Sequence, residues 1–146
     1  MSKFVPFKIA KKLKENGFKE ECVAHYYSND PTCRIKNTAL ADYVQQPFCI
    51  ESIKRSWNRC ELNPCSSGCY YDAPTISQVL KWLREEKNIH LIVEIADSGW
   101  YYTLYPNVRW ENDKLKSDTY IMSFKHKTSY EEAVLAGIEY CLDNLI

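Results

Sequence analysis

Ile89-His90-Leu91-Ile92-Val93-Glu94-Ile95-Ala96-Asp97-Ser98-Gly99-Trp100-Tyr101-Tyr102-Thr103-Leu104-Tyr105 is the stretch that decides the fold. Residues 89–96 alternate Ile89, Leu91, Val93 and Ile95 with His90, Ile92, Glu94 and Ala96, the period of two of a β-strand. Both sides of that alternation are largely apolar, which predicts a central strand. Asp97-Ser98-Gly99 is turn chemistry. Residues 100–105 then return as a partner strand that is aromatic on both faces.

Helices flank this hairpin. Ile76, Val79, Leu80 and Leu83 fall at i, i+3, i+4 and i+7, so the spacing predicts a helix over 76–87 with one apolar face. Thr75 and Gln78 have the spacing of a capping box at its start. After Tyr105, residues 106–118 read as a polar loop and residues 119–124 as a third strand. Thr128-Ser129-Tyr130-Glu131-Glu132 opens the last helix. Its expected buried face is Tyr130, Val134, Ile138, Cys141, Leu142 and Leu145, with Gly137 permitting close approach to the sheet.

Upstream, Ile9, Ala10 and Leu13 stripe a helix over 6–16, with Pro6 tolerated in the first turn. Gly17 suits the left-handed residue that stops a helix, and Phe18 then folds back onto Leu13. A strand follows over 22–27. Asn29-Asp30-Pro31 turns the chain, and residues 32–36 return as a hairpin partner. Residues 37–70 show no single period; Asn63-Pro64 and Ser66-Ser67-Gly68 mark loop. The expectation is one α+β domain over 1–146, with an irregular excursion at about 37–70. Its order is α-β-β-(excursion)-α-β-β-β-α, an antiparallel sheet packed by helices.

Composition narrows the function. The chain has 146 residues, 19 Lys and Arg against 19 Asp and Glu, and a formal net charge of zero. A zero balance argues against strong attraction to nucleic acid or an anionic membrane. The ends differ: residues 1–20 hold six Lys against two Glu, and residues 128–146 hold four acids and no Lys or Arg. No apolar run approaches a membrane span, and Met1-Ser2-Lys3-Phe4-Val5-Pro6 lacks the long apolar stretch of a signal peptide, so a cytoplasmic protein is expected. Its seven cysteines are then reduced thiols and not a disulfide frame.

Three chemistries have candidate residues. Cys60, Cys65 and Cys69 are soft ligands that could hold zinc, but paired Cys-x-x-Cys knuckles are missing. The bland alternative is buried thiols, and no other cofactor is implied. A thiol nucleophile needs a base; Cys22 and His25, three apart on one strand, project to opposite faces. Glu94 is the only acid inside the expected central strand, and one acid is not a hydrolytic pair. The four glycines are unclustered, so no phosphate-cradling loop is present. The remaining candidates are Trp100, Tyr101, Tyr102, Tyr105 and Trp110, with Arg109 beside them. They could stack bases, yet little basic charge interleaves them, so core packing or a protein interface is the better reading.

Three stretches resemble small uncharacterised proteins carried by phages and mobile elements of gut-type bacteria. They are Ile9-Ala10-Lys11-Lys12-Leu13-Lys14-Glu15-Asn16-Gly17-Phe18, Ala73-Pro74-Thr75 running to Lys81-Trp82-Leu83-Arg84-Glu85, and Ser129-Tyr130-Glu131-Glu132-Ala133 with Gly137-Ile138. These are caps and helix faces, so the resemblance implies fold and no chemistry. Residues 89–145 also resemble the small sheet of HicB-type antitoxins, through Ile92-Val93-Glu94-Ile95-Ala96-Asp97-Ser98-Gly99-Trp100-Tyr101, Pro106 and Glu131-Glu132-Ala133. That likeness implies binding to a toxin ribonuclease. The chain departs from it by a long insertion after Asn107 and by lacking the appended DNA-binding segment. The α-β-β-β-α order is also that of double-stranded-RNA-binding domains, whose last helix starts basic where this one starts Tyr130-Glu131-Glu132. The expected function is therefore non-catalytic: an accessory protein of a phage or mobile element that binds an unknown protein partner or itself. Nucleic-acid binding is the alternative, and a zinc- or thiol-dependent enzyme the next.

Overall fold

A computed structural model describes residues 4–28, 48–49, 69–123 and 125–146. The chain is α+β, with helices packed on antiparallel sheets. It divides into two compact units, Ser2–Thr75 and Ile76–Ile146. The boundary falls where the apolar periodicity of the sequence sharpens.

In the first unit, α1 spans Phe7–Glu15 and ends as its sequence predicts. Gly17 takes φ +84°. The Gly17 N–H donates to the Lys14 carbonyl at 3.2 Å, and the Phe18 N–H to the Leu13 carbonyl at 2.9 Å. That pair of bonds is the Schellman stop, which satisfies carbonyls the helix leaves open. Leu13 and Phe18, the two positions of that motif's apolar clasp, are both fully buried. Strand β1 (Ala24–Ser28) is flanked by β2 (Phe48–Cys49) and β3 (Cys69–Asp72), both antiparallel to it. Thus β2 and the start of β3 come from the stretch read as irregular. The mixed period there hid short strands whose partner is distant in sequence. The expected return strand over 32–36 lies outside the described residues. Phe7 sets its ring edge-on to Tyr26 and Tyr71, at 5.4 and 5.2 Å between centroids. The Tyr26 hydroxyl meets its buried polar need by donating to the Val5 carbonyl at 2.8 Å.

In the second unit, α2 (Ile76–Glu86) leads into a sheet of β4 (His90–Ala96), β5 (Gly99–Tyr105) and β8 (Ile121–Met122), with α3 (Tyr130–Asn144) packed on it. Between β5 and β8 stands a separate ribbon, β6 (Arg109–Glu111) and β7 (Lys114–Lys116). Four expectations are corrected here. Strand β4 is an edge and β5 is the centre, because β8 adds to the far side of β5. The stretch 106–118 is not all loop: Asn112 and Asp113, at φ 51° and 59°, form a two-residue turn with both φ positive, and this closes the ribbon. Of the strand expected over 119–124, the described residues show only Ile121–Met122, and residue 124 lies outside them. Tyr130 is 42% exposed rather than buried. It sits in the first turn of α3, where its ring meets Trp100 edge-on at 5.6 Å.

The rest of α3 packs as its spacing predicts except at Leu145, which is the half-buried residue that caps the helix end. Val134, Ile138, Cys141 and Leu142 are buried. A Cβ on Gly137 would collide with the end of Leu91 on β4 and lie 3.2 Å from the Tyr102 ring on β5. Glycine there sets how near the helix lies to the sheet. At the helix start, the Ser129 hydroxyl accepts from the Glu132 N–H at 3.1 Å. The Glu132 carboxylate reaches back to the Thr128 N–H and hydroxyl, at 3.2 and 2.7 Å. This is a capping box with its return bond one residue early. Those Thr128 bonds also hold the Glu132 carboxyl below its ordinary range. Ser129→Ala is expected to lower stability by about 1 kcal/mol, read as a fall in urea midpoint with unchanged slope.

Candidate functional site

Period-two geometry sorts the side chains of the β4-β5-β8 sheet. Leu91 and Tyr102 lie against Gly137, so the face they share with Val93 and Leu104 is the helix face. His90, Ile92 and Glu94 of β4, Tyr101, Thr103 and Tyr105 of β5, and Met122 of β8 belong to the opposite face. Cross-strand pairing aligns Ile92, Thr103 and Met122 in one row. Thr103 is buried in the middle, while Ile92 and Met122 are 43% and 45% exposed. No described helix of this unit covers that face, which leaves apolar surface open to water.

The β6-β7 ribbon turns one end of this face into a groove of about 610 Å³. His90, Ile92 and Tyr105 line it from the sheet, Leu115 and Lys116 from the ribbon, and Tyr120 from the link to β8. The ribbon is tied at its base. The Ser117 hydroxyl donates to the Pro106 carbonyl at 2.5 Å, and Asn107 Nδ2 donates to Asp118 at 3.2 Å. Arg109 donates to Asp118 at 2.7 Å and lies 3.5 Å from Glu111, which also approaches Lys116 at 3.7 Å. These bonds hold the Asp118 carboxyl below its ordinary range and push the Arg109 guanidinium up. The groove thus has apolar walls and a mixed, internally paired polar rim. That composition suits a protein segment better than a phosphate backbone.

The aromatic residues singled out from sequence do not form one surface. Trp100 and Tyr102 project to the helix face, where Tyr102 is buried beside Tyr140. Tyr101 and Tyr105 project to the open face, and Trp110 is 75% exposed on the ribbon opposite Leu115. Arg109 is committed to two carboxylates. Glu94 lies on the open face of an edge strand and accepts from the Tyr101 hydroxyl at 2.6 Å. It is no buried acid awaiting a partner. That bond is the main reason the Tyr101 hydroxyl titrates above its ordinary range.

Sequence reading missed two features. The groove could have been suspected from Asn112-Asp113 between Trp110 and Leu115, a weak hairpin signal. The other is a contact at the β4-β5 turn, where the Ser98 hydroxyl bonds His126 Nδ1 and Tyr101 stacks on the imidazole at 5.3 Å. A serine nucleophile needs a base that a third group orients, together with donors for an oxyanion. Among the described residues neither accompanies this exposed pair, so it reads as a clasp holding residues 126 and 127 to the turn.

Cys22 and Cys141 give no reactive group either. Burial pushes Cys22 and Cys141 up to about 12, so both stay protonated at neutral pH. Cys60 and Cys65 of the zinc reading lie outside the described residues; Cys69 opens β3. Among the described residues no three His, Cys, Asp or Glu side chains form a metal-holding group, and no helix is long and apolar enough to cross a membrane.

His25, paired across strands with Asp72, is 8% exposed. Burial pushes its imidazole below the ordinary 6.5, and the Asp72 charge opposes that only in part. Below about pH 6.5 the unfolded chain takes up a proton that the folded chain resists. Stability is therefore expected to fall as pH drops from 6.5, before carboxylates begin to titrate. His25→Gln should flatten that slope in a urea-midpoint series. An unchanged slope would show that the imidazole is not the cause.

No family model, no curated protein and no solved structure matches this chain. What the fold defines is its class: α+β, with helices on one face of an antiparallel sheet in the second unit and the other face open.

Proposed function

We propose that the protein works by binding a protein partner on the open face of the β4-β5-β8 sheet, with the groove under the β6-β7 ribbon as its anchor. The observation that carries this reading is the groove itself. It joins Ile92, Tyr105, Leu115 and Tyr120 into one concave apolar surface of the kind that takes an interface anchor residue. The charged side chains at its rim pair among themselves, which favours a neutral or mixed partner over nucleic acid. The likeness of the helix-end stretches to proteins of phages and mobile elements supports an accessory role exercised by contact, inside the bacterial cell. The reading includes no catalysis, because no described group combines a nucleophile, a base and a place for substrate.

Capture from nuclease-treated bacterial lysate tests it, comparing the natural chain with Leu115→Glu and Tyr120→Glu. A protein retained by the natural chain and weakened at least about tenfold by either change is expected, since a charge placed in a desolvated anchor pocket costs 2 kcal/mol or more. Circular dichroism confirms that the variants fold. A partner held equally by all three chains would overturn the groove assignment. Loss of binding to nuclease alone would favour the nucleic-acid alternative.

A further inference from the structure

From the exposed edge of β4 we infer that two copies of this chain pair through their β4 strands, antiparallel about Val93, to make one continuous sheet of both β4-β5-β8 units.

In an antiparallel pair, alternate residues aim both backbone groups at the partner and the others aim them away. Trp100 donates to the Lys127 carbonyl at 2.8 Å and accepts from the Lys127 N–H at 2.6 Å. Its backbone groups therefore face away from β4. Ile95, paired with Trp100, must then face away from β5, and Val93 and Leu91 follow by alternation. Tyr102, the partner of Val93, agrees: its carbonyl accepts from Ser123 on the β8 side at 3.0 Å. So β4 presents the N–H and C=O groups of Leu91, Val93 and Ile95 along one edge. No strand of this unit lies beyond it among the described residues.

Natural edges are blunted by charged side chains, lysine above all, by proline, by a bulge or by short length. Strand β4 has one of these, Glu94, whose carboxylate accepts from the Tyr101 hydroxyl on the open face. It runs seven residues, His-Leu-Ile-Val-Glu-Ile-Ala, in unbroken register with β5, and Ile95 is 67% exposed. The zero net charge of the chain adds no long-range repulsion between copies.

Self-pairing also has one favoured register. Centred on Val93, it sets Val93 against Val93 and Leu91 against Ile95 of the second copy. All three outward residues then lie in hydrogen-bonded pairs, and Ile95 is covered. Centred on Glu94, it would place two carboxylates face to face, which is unfavourable. Centred on Ile92, it would call on the Ile89 N–H, already given to the Leu83 carbonyl at 2.9 Å. A one-residue slip would mismatch the two faces. The groove borrows the His90 and Ile92 side chains of β4 on the open face, but the pairing uses the outward backbone of Leu91, Val93 and Ile95, and the groove residues Leu115 and Tyr120 are not on β4.

Sedimentation equilibrium over a concentration series, joined to amide exchange by NMR, tests the inference. The expected result is a species of twice the 17.2 kDa chain mass, with the Leu91, Val93 and Ile95 amides gaining protection as it forms. The Ile92 and Glu94 amides, bonded to β5, should be protected at every concentration. Val93→Pro removes an N–H that β5 does not use, and should give a folded monomer. If that variant does not fold, Ile95→Lys, at an exposed edge site, takes its place with the same expectation. Leu115→Glu should still dimerise, which separates failure here from failure of the groove reading. A monomer at all micromolar concentrations would overturn the inference. So would a dimer whose Leu91, Val93 and Ile95 amides stay unprotected, because its contact would lie elsewhere, on the open face or on the other unit.

Discussion

Alanine at Gly99 is expected to cost the Ile76–Ile146 unit about 3 kcal/mol, as strained backbone and overpacking combine. Gly99 takes φ +129°, a conformation that side-chain-bearing residues rarely adopt. A Cβ there would stand 2.5 Å from the Lys127 carbonyl oxygen. That atom is backbone, and it is the acceptor of the Trp100 N–H, so it cannot retreat without losing the bridge between residues 100 and 127. The turn cannot yield either, since Ala96 and Gly99 close the β4-β5 hairpin. Gly17 makes the control. Its φ is +84°, but nothing lies within 4 Å of an added Cβ. Gly17→Ala should therefore cost only about 1 kcal/mol, the strain of a left-handed alanine. Urea midpoints measure both changes, and amide exchange at Trp100 and Lys127 reads the local loss. Equal costs at the two glycines would show that the collision with Lys127 does not decide the matter.

That contrast also explains what the sequence could disclose. The end of α1 was legible because its signal is local: Gly17 and Phe18 act on Lys14 and Leu13, three and five residues back. The same holds for the Ser129 cap and for Gly137, where a lone glycine on an apolar helix face implies a close neighbour. The β4-β5 hairpin was legible because alternation and turn chemistry agree over one contiguous stretch.

Edge or centre was not legible. Alternation reports how apolar the two faces of a strand are, and says nothing of its two edges. Strand β4 is apolar on both sides and still an edge; its Ile92 and Ile95 are exposed. The ribbon was missed because Asn112-Asp113 lacks the glycine that usually marks such a turn, and its strands are only three residues long. The groove depends on that ribbon, so it was hidden with it. The division of the aromatic residues was in principle readable, because Trp100 and Tyr102 must oppose Tyr101 and Tyr105 on any strand. Which pair faces water had to wait for α3. Strands β2 and β3 were obscured by distance, since β1 finds them about twenty-four and forty-four residues away, where local pattern carries no pairing information.

Phe18→Ala should be the most damaging single change among the described residues of the Ser2–Thr75 unit, at about 4 kcal/mol. Phe18 is fully buried and is, among the described residues, the largest of the side chains with almost no exposure. Two roles meet in it. Its N–H closes the stop of α1 on the Leu13 carbonyl, which alanine would retain. Its ring fills volume, which alanine would empty. If the clasp on Leu13 were its whole contribution, truncation would cost about 1 kcal/mol, the scale of a helix-end contact. Full burial predicts the larger figure, because an emptied aromatic site adds a cavity to the lost transfer energy. Phe18→Leu separates the two: it keeps the clasp and most of the volume, and should cost about 1.5 kcal/mol or less. Urea midpoints of the two variants, with exchange at the β1 and β3 amides as a local reading, give the comparison. A Phe18→Ala loss no larger than that of Phe18→Leu would mean the ring caps a helix end and does not anchor the core of this unit.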